Sequence, residues 1–127
     1  MQNDKAPVSM YSPQLLDHFE HPRNTGSLPD PHVHVRVENP ACGDILELFV
    51  RLNGDHIDAI TFRAKGCVPA MACGSAVTEL AKGKSISEAR RVSREDIEAA
   101  VGGVPSASGH ATALAIDALQ AMLTKVG

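Results

Sequence analysis

Nothing in these 127 residues reads as a membrane span, a signal core or a nucleic-acid stripe. The longest apolar stretches fall well short of the roughly 18 residues that a bilayer crossing needs. Acids and bases, 15 and 12, are interspersed at a net charge of −3. That leaves no basic stripe for nucleic acid and no polybasic run for a membrane surface. Residues 1–7 lack an apolar signal core, so a cytoplasmic location is expected. There are no internal repeats. No nucleophile–base pair, phosphate-cradling loop or oxyanion arrangement can be picked out, which points away from an enzyme. Cysteine is scarce: there are three, an odd number. Without an export signal they read as thiols for metal or redox work.

What is present fits a single domain over 1–127 with a loose tail at 1–10, large enough to bury one core without disulfides. Tyr11–Glu20 carries Leu15, Leu16 and Phe19 at helical spacing, with Ser12 as N-cap and Pro13 at the first helical position. Residues 23–31 form a loop. His32–Glu38 alternates strictly with valines on one face, which predicts a half-buried strand. A helix follows over Pro69–Lys82, with Ala70, Cys73, Ala76, Val77, Leu80 and Ala81 on one face and Gly83 as its stop. Ser85–Ala89 is a short turn of helix. Ser93 and Asp96 fit a capping box that opens another. Val104–Gly109 is a small-residue loop, and from His110 the set Ala111, Leu114, Ala115, Ala118, Leu119 and Met122 marks a last amphipathic helix.

The chain is organised around Asn39-Pro40-Ala41-Cys42-Gly43-Asp44, which opens a hairpin whose far arm ends at Lys65-Gly66-Cys67. Asn53-Gly54 between two apolar arms is a strong hairpin signal, because both residues tolerate positive φ. A turn centred on Gly54 predicts that Leu48 faces Ile60, Leu46 faces Phe62 and Asp44 faces Ala64. With the preceding strand this gives a three-stranded antiparallel sheet. The fold class is α+β, with helices packed on one face.

The same register brings Cys42 beside Gly66 and Cys67. Asp44 shares a face with Cys42 and with the apolar row of Leu46 and Leu48. An inward acid loses solvation unless it is paired or bound to a metal. The alternative is a frayed strand, a wetted Asp44 and two small core cysteines. Converging thiols beside an inward carboxylate favour the metal reading. Thiolates suit zinc, copper(I) and iron–sulfur centres, and imidazole can complete such sites. His110 is the best fourth candidate, with a capping or solvated role as its alternative. His18, His21, His32, His34 and His56 are expected in solvent. Cys73 lies mid-face in its helix and reads as core, with a sulfur-handling or redox role alongside Cys67 as the other option.

At these residues the chain resembles the IscU/NifU-type iron–sulfur cluster assembly scaffolds, whose fold is SufE/NifU-like. The resemblance runs from Tyr11 to about Met122. It is carried by Leu16–Gly26, Asn39–Asp44, Lys65-Gly66-Cys67, Val77-Thr78-Glu79 and Lys82–Ser85. It implies a scaffold that receives sulfur from a cysteine desulfurase, builds a labile two-iron two-sulfur cluster and passes it to recipient apo-proteins, with zinc or iron at the same place otherwise. It also implies that Cys42 and Cys67 are ligands, that Asp44 keeps the cluster labile, and that His110 is the family's histidine. The chain departs at Ala111, where the family has its third cysteine as ligand and usual first sulfur acceptor. Residues 102–108 also lack the family's Leu-Pro-Pro-Val-Lys signal for a dedicated Hsp70-type chaperone, so no such partner is expected. A divergent zinc-binding module that builds no clusters is the alternative.

Overall fold

The computed structural model describes residues 10–126. The expected loose tail therefore lies, except for Met10, outside the described residues. The order is α1 (Pro13–Glu20), β1 (Val33–Glu38), β2 (Ile45–Asn53), β3 (His56–Lys65), α2 (Val68–Ala81), α3 (Ile86–Ala89), α4 (Arg94–Ala100), a 3₁₀ turn (Ser106–Ser108) and α5 (Gly109–Val126). The strands form one antiparallel sheet in the order β1-β2-β3. Inward residues Val33, Val35, Leu46, Leu48, Val50, Ile60 and Phe62 share a single buried core with α2 and α5. Among the described residues no helix is long and apolar enough to cross a membrane.

Chain reversals fall where the caps place them. Ser12 accepts a bond from the Leu15 N–H at 2.9 Å, which opens α1. Ser85 with Glu88, and Ser93 with Asp96, close reciprocal capping boxes at the starts of α3 and α4. The backbone of residues 83–86 then ties down the hairpin end, through Gly83 N–H to the Ile57 carbonyl and Ile86 N–H to the Asp55 carbonyl.

The hairpin register differs from the expected one by two residues. Leu48 pairs with Phe62, Leu46 with Ala64, and the ladder ends at Ile45–Lys65. The turn is the two-residue loop Gly54-Asp55, closed by the pair Asn53–His56. A loop of that length alone would set Leu48 against Thr61 and mismatch the two faces. A register shift beside Arg51 and Leu52 leaves Asp58 unpaired and restores the match. Burial records the break: Ile57 and Ile60, three residues apart, are both inward. The total shift is even, so the inward set survives and only its partners change.

Helix α2 also differs from the one-faced helix of the sequence reading. Pro69, Ala70, Ala72, Cys73, Gly74, Ser75, Ala76, Val77, Thr78 and Ala81 are all buried, whereas Leu80 is only half-buried. Small side chains let β3, α1, α4 and α5 approach it together. At Gly74 a Cβ would stand 2.9 Å from the Phe62 ring and 3.0 Å from Leu46 Cδ1.

The expectation of a solvated His18 is overturned. It is 4% exposed, since three positions after Leu15 lies on the same helix face. Its Nδ1 is 2.8 Å from Ser75 Oγ, and that oxygen also accepts the Arg23 N–H at 2.9 Å. Nε2 faces Glu79 at 3.6 Å. A neutral ring protonated on Nε2 satisfies every one of these partners. The segment that follows is strapped down as well: Asn24 bonds Thr78 Oγ1 at 3.2 Å, and Asn24 and Gly26 pair with the Phe62 backbone along the free edge of β3. His21, His32, His34 and His56 are exposed as expected.

Burial, reinforced by the Arg23 charge, holds His18 below its ordinary value against the opposing pull of Glu79 and Asp17. The unfolded chain therefore takes up this proton first. Stability from His18 is present above about pH 6.5 and is lost as pH falls through the lower folded-state value. The urea midpoint is expected to drop between pH 7.5 and 5.5, and His18→Asn to flatten that slope. An unchanged slope in the variant would remove His18 as the cause.

Candidate functional site

The loop between β1 and β2 is a closed turn. Asn39 Oδ1 accepts the Ala41 N–H at 3.0 Å, the Gly43 N–H donates to the Asn39 carbonyl at 2.7 Å, and the Asn39 N–H reaches the Asp44 carbonyl at 2.8 Å. Gly43 sits at φ +75°, a region that favours glycine. The turn leaves Cys42 exposed at its tip and returns Asp44, 5% exposed, to the inward face. The two-residue register shift carries Asp44 past Ala64 to Gly66. The missing Gly66 side chain is the space the carboxylate occupies: a Cβ there would stand 2.6 Å from Asp44 Cγ and closer still to Oδ1.

Cys67 is the N-cap residue of α2. Its Sγ lies 3.3 Å from Asp44 Oδ2 and 3.5 Å from His110 Nε2. His110 Nε2 in turn lies 3.4 Å from Asp44 Oδ2. Cys42, Asp44 and His110 each offer a donor atom within 4.8 Å of the other two. The two hairpin segments read from the sequence thus come together, and His110, which no spacing argument could place, joins them as the third.

Burial is the largest influence on the Cys67 thiol and pushes it up. The Ala70 N–H opposes this, while Asp44 and Cys42 add to the rise. A metal taken up here must displace that proton. Cys73 is fully buried, and burial pushes its thiol up to about 12. It is a core residue, as its place on the helix predicts, and holds little thiolate for exchange. Ala111 is buried directly behind His110. Sequence reasoning missed Arg94, which bonds the start of α5 at the Gly109 carbonyl and the Thr112 hydroxyl; the Ser93 capping box marked its helix but gave no sign of that reach.

Two soft sulfurs, a carboxylate and an imidazole on a small α+β frame make a donor set for zinc or iron. Residues 10–126 match the family described as NifU-like N terminal domain, and the chain belongs to that family. Iron-sulfur cluster assembly scaffold protein IscU 1 of Archaeoglobus fulgidus is 40% identical over 111 residues, spanning 87% of this chain and 72% of that protein. The scaffold protein IscU of Escherichia coli K12 is 38% identical over 117 residues, spanning 89% and 91%. The crystal structure of a NifU-like N-terminal protein from Brucella abortus matches with a TM-score of 0.75 over 94% of this chain and 96% of that one. At 16% identity, that likeness concerns the fold alone.

Proposed function

We propose that this protein is an iron–sulfur cluster assembly scaffold, binding a labile two-iron two-sulfur cluster as cargo at Cys42, Asp44, Cys67 and His110. The observation that supports this best is the convergence of those four side chains from three chain segments, within a family whose relatives carry the scaffold name. Cys42 and Cys67 would hold iron through sulfur. Asp44, a hard oxygen donor on a soft centre, would be the ligand most easily given up, which suits a cluster meant to be handed on. The unit is one domain over residues 10–126 that works by binding and transfer in the cytoplasm. A cysteine desulfurase supplies sulfur and apo-proteins receive the cluster. Turnover chemistry, nucleic acid, membrane and a dedicated Hsp70-type chaperone have no part in this reading.

Anaerobic reconstitution with ferrous iron and sulfide is expected to give sulfide-to-iron charge-transfer absorption with matching acid-labile sulfide. Protein that stays colourless and binds one zinc tightly would replace this reading with the zinc module. That second reading has its own support, because two thiols, a carboxylate and an imidazole already make a complete tetrahedral set without a cysteine at position 111.

A further inference from the structure

Helix α5 starts without an acidic residue in its first turn. An arginine from another helix holds that turn instead. Arg94, the first residue of α4, donates from Nη2 to the Gly109 carbonyl and from Nε to Thr112 Oγ1, each at 2.9 Å. The fully buried Thr112 donates its hydroxyl back to the Gly109 carbonyl at 3.0 Å, and Glu98 Oε2 lies 3.5 Å from the same hydroxyl. Glu98 also stands 3.6 Å from Arg94 Nε. These groups close around the turn that carries His110. A Cβ at position 109 would sit 3.1 Å from Arg94 Nη2, a close approach that the guanidinium would have to yield to by a few tenths of an ångström.

Two ordinary explanations for Arg94 fail. A cation at a helix start opposes the helix dipole and gains nothing from it. The pair with Glu98 is half in water, where such pairs contribute little. What the arrangement does fix is rotation. Side-chain atoms lie roughly 5–6 Å from a helix axis, so a turn slipping by about 20° carries them about 2 Å. The His110 ring nitrogen is 3.4 Å from Asp44 and 3.5 Å from Cys67, and a slip of that size would take it out of the donor set.

We propose that Arg94 is a positioning residue for His110, holding the first turn of α5 through Gly109 and Thr112 so that the imidazole points at Asp44 and Cys67. This rests on the metal-site reading above, and the test separates the two. Cobalt(II) is titrated optically into the full chain as wild type, Arg94→Ala, Arg94→Lys, His110→Ala and the Arg94→Ala/His110→Ala double variant. Arg94→Ala is expected to weaken cobalt about tenfold, in the range found when the supports of metal ligands are lost. In the His110→Ala background the same change should cost nothing further, and Arg94→Lys, with one bond of the two, should fall between. In the metal-free protein the side-chain ¹⁵N–¹H signals of His110 should broaden or shift in Arg94→Ala, while those of His18 stay in place. An equal loss of cobalt affinity in both backgrounds, or an unmoved His110 signal, overturns the proposal. If the wild type binds no cobalt, the metal-site reading fails, and the His110 signal still decides the role of Arg94.

Discussion

Zinc added to the metal-free protein is expected to raise its melting temperature by on the order of 10 °C, and Cys42→Ser to remove most of that rise. The donors come from the β1–β2 loop, the β3–α2 junction and the start of α5, and they meet only in the folded chain. An ion that binds the folded state alone stabilises it by about 2.7 kcal/mol at a hundredfold excess over its dissociation constant. For a chain of this size each kcal/mol is worth roughly 3–5 °C. Cys42 is exposed, so exchanging its sulfur for a poorly ligating hydroxyl costs the metal-free fold little. The loss therefore reads as lost metal. Thermal scans of both proteins, with and without zinc, check this; a full rise in the variant would put Cys42 outside the site. The rise should also shrink as pH falls, because protons compete for thiols that must ionise to bind.

Gly66→Ala is expected to weaken zinc about tenfold or more, a loss of ~1.4 kcal/mol or greater. Gly66 has φ +154° and no side chain, and Asp44 fills the space. The added carbon would displace the carboxylate from beside Cys67 and His110, leaving an almost fully buried acid without its partners. Gly43→Ala is the control. Its φ of +75° strains any other residue, yet nothing lies within 4 Å of a Cβ there. It should cost on the order of 1 kcal/mol of stability and leave zinc affinity nearly intact. Competition titrations against a chromophoric chelator distinguish the two. Equal affinities in wild type and Gly66→Ala would mean that Asp44 is not a donor.

Much of this was written locally in the chain. Alternation in residues 33–37 and 46–50 set the inward face, Asn53-Gly54 announced the hairpin, and Ser12, Ser85 and Ser93 stand where helices begin. Other features were not legible there. The two-residue turn and the unpaired Asp58 together moved the partners from Arg51–Ala59 onward by two residues, and the one local trace of the bulge is that Ile57 and Ile60, three apart, both turn inward. His18 stands among polar neighbours in sequence, yet its spacing from Leu15 turns it inward.

The amino-acid order alone therefore settled the elements and the sheet's inward face, and it put Cys42, Asp44 and Cys67 at the open end of one hairpin, while the exact register that sets Asp44 beside Gly66 came from the turn and the bulge. It could not settle where His110 lies, 43 residues beyond Cys67, nor that Gly66 makes room for Asp44 or that Arg94 holds the start of α5. Those depend on how α2 and α5 pack over the sheet, a choice made by the whole core, to which no neighbouring residues testify.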